Sequence, residues 1–136
     1  MDIAALIAWL VTAVGGFVML GTWIAKGGTR SRTGRFAPGL VFGHFALAAA
    51  GLVLWIVYLL AGGTALAWIA FVLLVPVALL GFTMLARWLP GYRARGASSG
   101  ERAPEQHFPV AVVGAHGLFA VATVVLVLLA ALGVGS

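Results

Sequence analysis

Two histidines, His44 and His116, are the residues of this chain whose type and surroundings could do chemistry. Each stands inside a run of more than 20 residues that holds no Asp, Glu, Lys or Arg. An imidazole in hydrocarbon costs several kcal/mol if its ring nitrogens stay unpaired. An ionisable side chain in such a run is therefore a candidate for function. Neutral imidazole offers one N–H donor and one lone pair, and the lone pair is a common ligand to transition metals. Two such rings on opposite faces of a porphyrin would supply both axial ligands of a haem iron.

Other chemistries lack their residues. With no cysteine in the chain, disulfides, thiolate metal sites, cysteine nucleophiles and covalent c-type haem attachment are excluded. The only acids are Asp2, Glu101 and Glu105, and all three lie outside the apolar runs. Proton- or cation-coupled transport, which needs a charge-changing group inside the bilayer, therefore loses its central residue. Ser31, Ser98, Ser99 and Ser136 also stand outside these runs, so no serine there has a base and an orienting acid. Two histidines without a carboxylate or thiolate make a poor closed metal site in the absence of a macrocycle.

The elements that must position the histidines follow from composition. Of 136 residues, 63% are hydrophobic and 8% charged, whereas a soluble domain carries roughly 25% charged residues. A crossing takes about 20 apolar residues. Four stretches satisfy this, 3–25, 38–61, 65–86 and 108–133, leaving no room for an extramembrane enzyme domain. The expected fold is a single all-α transmembrane domain, a four-helix up-down bundle. The first stretch is too long for a signal-peptide core and is preceded by Asp2 rather than by basic residues, so it reads as a retained helix.

The eight Lys and Arg against three Asp and Glu give a net charge of +5. All eight cations fall in the loops 26–37 and 87–107, which reads as a topology signal. Both loops should then be cytoplasmic and both termini outside, in a bacterial inner membrane. Neither loop interleaves aromatic with basic residues as single-strand binders do, which argues against nucleic acid. Gly62-Gly63-Thr64 is only a turn, so the second and third helices are antiparallel neighbours. Most of the five tryptophans read as interfacial anchors, with Trp55 deeper and packed on lipid or a neighbour. Pro76 should kink the third helix and Pro90 should end it, while residues 96–100 read as flexible coil.

Counting from Pro38 and Phe108 places His44 and His116 roughly 9 and 12 Å along two helices of the same direction, at 1.5 Å per residue. The second and fourth helices of an up-down bundle are diagonal across its core. Steps of three and four from His44 reach Leu47, Ala48, Gly51 and Leu52, and from His116 they reach Phe119, Ala120, Thr123 and Val124. The antiparallel helices should add Gly21 with Thr22, and Gly81 with Thr83. Gly21, Gly51 and Gly81 would together leave space for a flat ring.

This pattern resembles the bis-histidine b-type cytochromes of membranes, in which diagonal helices of a four-helix bundle carry the axial histidines. The resemblance implies one haem b ligated by His44 and His116 near the cytoplasmic face, exchanging electrons with a quinone or a partner subunit. Many such cytochromes carry two histidines per ligand helix and hold two haems; one per helix limits this chain to one. Arg35, Arg87 and Arg93 would neutralise the haem propionates, for which the guanidinium fork is suited. The segments Phe42-Gly43-His44-Phe45, Arg87-Trp88-Leu89-Pro90 and His107-Phe108-Pro109 also resemble small four-helix membrane proteins of high-G+C bacteria, a likeness that implies no function.

Two rival readings stay open on the same residues. Glycine, alanine and threonine are ordinary residues of transmembrane helix contacts. The histidines of an accessory or assembly subunit in a larger membrane complex would then only bridge helices. Alternatively, one imidazole could hydrogen-bond a quinone or lipid headgroup without haem, with Trp23 or Phe45 against the ring. His107, beside the second basic loop, reads as solvated, and Met19 and Met84 as gap-fillers.

Overall fold

The computed structural model describes residues 1–97 and 100–135. Ser98, Ser99 and Ser136 lie outside the described residues, and the flexible-coil expectation for 96–100 rests partly on the first two. The chain is all-α, with α1 over Asp2–Ala25, α2 over Pro38–Ala61, α3 over Thr64–Arg93 and α4 over Val110–Ala131. All four are long and apolar enough to cross a membrane. Pro38 opens α2 with its φ already helical and no N–H to satisfy. Pro109 is the residue capping α4, so that helix starts at Val110 rather than Phe108. The α2–α3 connection consists of Gly62 and Gly63 at φ +72° and +97°, a backbone that side-chain-bearing residues adopt only at a cost.

Helix α3 departs most from expectation. It continues through Pro76 and past Ala86 and Pro90 to Arg93. Proline removes one backbone donor, but this end is held by the connection that follows. The chain between α3 and α4 folds into a 3-10 turn, Pro104–His107, with Glu105 and Gln106 buried. Trp88 Nε1 donates to the Glu105 carbonyl at 3.0 Å, and Gln106 Nε2 donates to the Trp88 carbonyl at 3.1 Å. The Tyr92 ring stacks on Trp88 at 4.7 Å. A Cβ at Gly91 would meet the Gln106 amide and displace it from the Trp88 carbonyl.

The helices pack as two close pairs, α1 on α4 and α2 on α3. Helices α3 and α4 touch less, and α1 and α2 least, while α2 and α4 are diagonal, as are α1 and α3. One core, toward the chain termini, contains Trp9, Trp55, Leu74 and Val127. The other, toward the long connections, contains Trp23, Phe36, Trp88 and Phe108. Four of the five tryptophans are thus no more than 4% exposed, and only Trp68, at 38%, has the exposure of an anchor. Many large apolar side chains face outward instead, including Leu60 at 84% and Leu118 at 70%. In water such a surface would be an association liability.

Candidate functional site

Between the two cores lies an apolar cavity of about 470 Å³, within the size range of small-molecule sites. Trp9 and Leu74 bound it at one end and Trp23, Phe36, Trp88 and Phe108 at the other. His44 and His116 both line it, and their ring centres are 6.4 Å apart with 59° between the planes. The diagonal helices therefore do bring the two imidazoles together at one level.

Each ring is fixed by the neighbouring helix of its own close pair. His44 Nδ1 lies 3.0 Å from the Val77 carbonyl of α3, and His116 Nδ1 lies 2.8 Å from the Thr12 carbonyl of α1. A carbonyl only accepts, so Nδ1 carries the proton in both rings and Nε2 keeps its lone pair. Among the described residues neither Nε2 has a hydrogen-bond partner. Outer hydrogen bonding of this kind, from one ring nitrogen to a carbonyl, accompanies metal ligation by the other. Of the other polar groups of the wall, the Thr12 and Thr123 hydroxyls donate to the Ala8 and Phe119 carbonyls at 2.8 and 2.7 Å, whereas the buried Trp23 Nε1 has no partner among the described residues.

Glycines make the seats. A Cβ on Gly81 would stand 3.3 Å from His44 Cε1, and one on Gly16 would stand 3.3 Å from His116 Cε1. Gly15 is equally close to the His116 Cβ. Of the three glycines expected from the sequence, only Gly81 lines the cavity. Gly21 is exposed, with open space where a Cβ would go. Gly51 is buried, and a Cβ on it would stand 3.0 and 3.1 Å from the Trp9 indole.

The α1 contribution thus comes from Thr12–Gly16 and not from Gly21 and Thr22. The physical reason is that Trp23 and Trp88 share one aromatic layer with Phe36 and Phe108, and α1 runs on beyond that layer. Depth counted from the last apolar residue of α1 therefore overshoots; depth counted from Trp23 does not. A signal was present in the chain, because Gly81-Phe82-x-Met84-Leu85 recurs as Gly16-Phe17-x-Met19-Leu20, each followed three residues later by tryptophan.

The three arginines do not meet at the cavity. Arg35, Arg87 and Arg93 are exposed, and the aromatic layer separates the loop end from the histidines. Arg87 donates to the Arg35 carbonyl at 3.2 Å. His107 is half-buried, with Nδ1 3.2 Å from the Ala103 carbonyl, and does not join the site. Sequence reasoning also missed Glu105, which is 1% exposed and accepts the Arg35 backbone N–H at 2.6 Å. Comparison with known proteins adds no relative: no family model matches this chain, and neither the curated proteins nor the solved structures contain a match.

Proposed function

We propose that this protein is a multi-pass membrane electron carrier of the b-type cytochrome kind, holding one haem between its two helix pairs. The carrying observation is the pair of imidazoles 6.4 Å apart, each with Nδ1–H bound to a carbonyl. Two imidazoles on opposite sides of one ion, with ordinary metal–nitrogen bonds of about 2.0 Å, have ring centres about 6 Å apart. The 59° between the ring planes, set by the two carbonyl bonds, would not prevent such ligation. His44 comes from the α2–α3 pair and His116 from the α1–α4 pair, and the pocket between the pairs is lined by apolar side chains that would pack on the faces of a flat ring.

Bound haem would supply the one-electron chemistry. His44 and His116 would hold the iron at fixed geometry, and their carbonyl partners would raise the donor strength of Nε2. The apolar wall would keep water from the centre. Arginine pairing to the propionates is not part of this reading, since Arg35, Arg87 and Arg93 stand outside the aromatic layer. A quinone or a partner subunit in a bacterial inner membrane would be the electron partner. Absorbance of the purified protein tests the reading: a Soret band and split reduced alpha and beta bands, at one haem per chain by pyridine haemochrome assay, are expected.

One observation favours a second reading. The Nδ1 bonds tie α2 to α3 and α4 to α1, which is the bridging role expected of an accessory subunit without cofactor. A colourless protein from haem-replete cells would favour it.

A further inference from the structure

The seats of the two histidines are one arrangement used twice. His116 bonds the Thr12 carbonyl and rests Cε1 over Gly16; His44 bonds the Val77 carbonyl and rests Cε1 over Gly81. Both clearances are 3.3 Å. The sequence carries the same relation. Ala13, Gly16, Phe17, Met19, Leu20 and Trp23 recur 65 residues later as Ala78, Gly81, Phe82, Met84, Leu85 and Trp88. On the histidine helices Phe36, Val41, His44, Ala48, Ala50 and Leu54 recur 72 residues later as Phe108, Val113, His116, Ala120, Ala122 and Leu126. The larger second offset arises in the connection, where the α3 extension and the 3-10 turn have no counterpart in the first half.

Two of the recurring pairs touch each other. Phe36 meets Phe108 at 6.0 Å, and His44 meets His116 at 6.4 Å. Residues related by a two-fold rotation meet their own images only at the axis, so an axis passes between α2 and α4 through both contacts. The close pairs obey the same rotation, while α3 and α4 touch more extensively than their images α1 and α2. The close pair α1–α4 is the image of the close pair α3–α2. Buried Ala5, Trp9 and Trp55 have buried Ala70, Leu74 and Val127 as images.

We infer that the chain is a tandem duplication of one two-helix unit folded about a pseudo-two-fold axis, whose centre takes a ligand engaged identically from both sides. Each half gives one imidazole and the seat for the imidazole of the other half. The matching ligand class is a single metal centre open at two opposite positions, a clause that rests on the proposed function; the duplication does not rest on it. Gly16 and Gly81 are thereby explained as a pair, while Gly15, whose counterpart is Leu80, belongs to the His116 seat alone.

The test compares image-related variants of the full chain. Gly16→Ala is set against Gly81→Ala, and His44→Ala against His116→Ala, with Gly21→Ala as control. Haem per folded protein and the thermal unfolding midpoint are both measured. Within each pair the two variants should agree within about two-fold in occupancy, the scatter of independent sites, and should lower the midpoint equally. Should a seat variant fail to fold, Met19→Leu against Met84→Leu gives the comparison with a volume-conserving change that cores tolerate. A pair differing by more than about five-fold, well beyond that scatter, or a midpoint lowered by only one member, would overturn the two-fold centre even with haem present. Matched midpoints in a protein without haem would support the duplication and sink the proposed function.

Discussion

An imidazole whose Nδ1–H is committed to a carbonyl has one nitrogen left for chemistry, and at His44 and His116 both remaining nitrogens belong to rings that face one cavity. Replacing either by alanine removes a proposed ligand and a hydrogen bond, the latter worth about 1 kcal/mol. His44→Ala and His116→Ala should each abolish the low-spin bis-histidine spectrum, whereas His107→Ala, whose ring only closes its own turn, should keep it. Retention of the wild-type spectrum in all three would refute the ligand assignment. Among the glycines the structure separates two effects. Gly51→Leu would collide with the Trp9 indole and should cost about 1–3 kcal/mol of stability by overpacking, lowering folded yield. Gly21→Leu meets open space and should change neither folded yield nor haem per folded protein. A fall in haem per folded protein on Gly21→Leu would count against the cavity described here.

At the scale of the elements, much was legible because apolar length and charge boundaries are strong signals. Helix α2 begins and ends where the sequence places it, and α1 begins one residue early. The diagonal placement of α2 and α4 is what an up-down bundle implies. What escaped was set by contacts distant in sequence. Pro90 reads as a stop, but Trp88, Tyr92 and the buried Gln106 hold the helix through it. The loop before α4 reads as solvated coil, yet Glu105 inserts between the two connections and accepts the Arg35 N–H. Burying a carboxylate is tolerated only when it is hydrogen-bonded, and nothing local in Pro104-Glu105-Gln106 announces that partner. The tryptophans read as anchors because interfacial position and core position give the same local sequence; only the packing of Trp23 against Phe42 at 6.0 Å and beneath Gly28 distinguishes them.

The Glu105 contact yields a test at this scale. Glu105→Ala deletes a charge-assisted bond of about 1.5–3 kcal/mol and frees the two connections from each other. The Arg35 amide should then lose protection in hydrogen exchange, while amides in the middle of α2 and α4 keep theirs. An unchanged Arg35 amide would show that the connections are held by the aromatic layer alone.

For the whole molecule, two close helix pairs pack with an apolar pocket between them and an apolar outer surface. Its orientation is a separate expectation from charge. With both basic connections cytoplasmic, a reporter fused after the last residue should be active only outside the cytoplasm, and cytoplasmic activity there would reverse the topology. The central claim is that the pocket holds one iron between His44 and His116. It is tested most directly by the reduced-minus-oxidised spectrum of the intact protein purified from haem-replete cells. A Soret band with split alpha and beta bands at one haem per chain is the expected result, and a folded, colourless protein would contradict it.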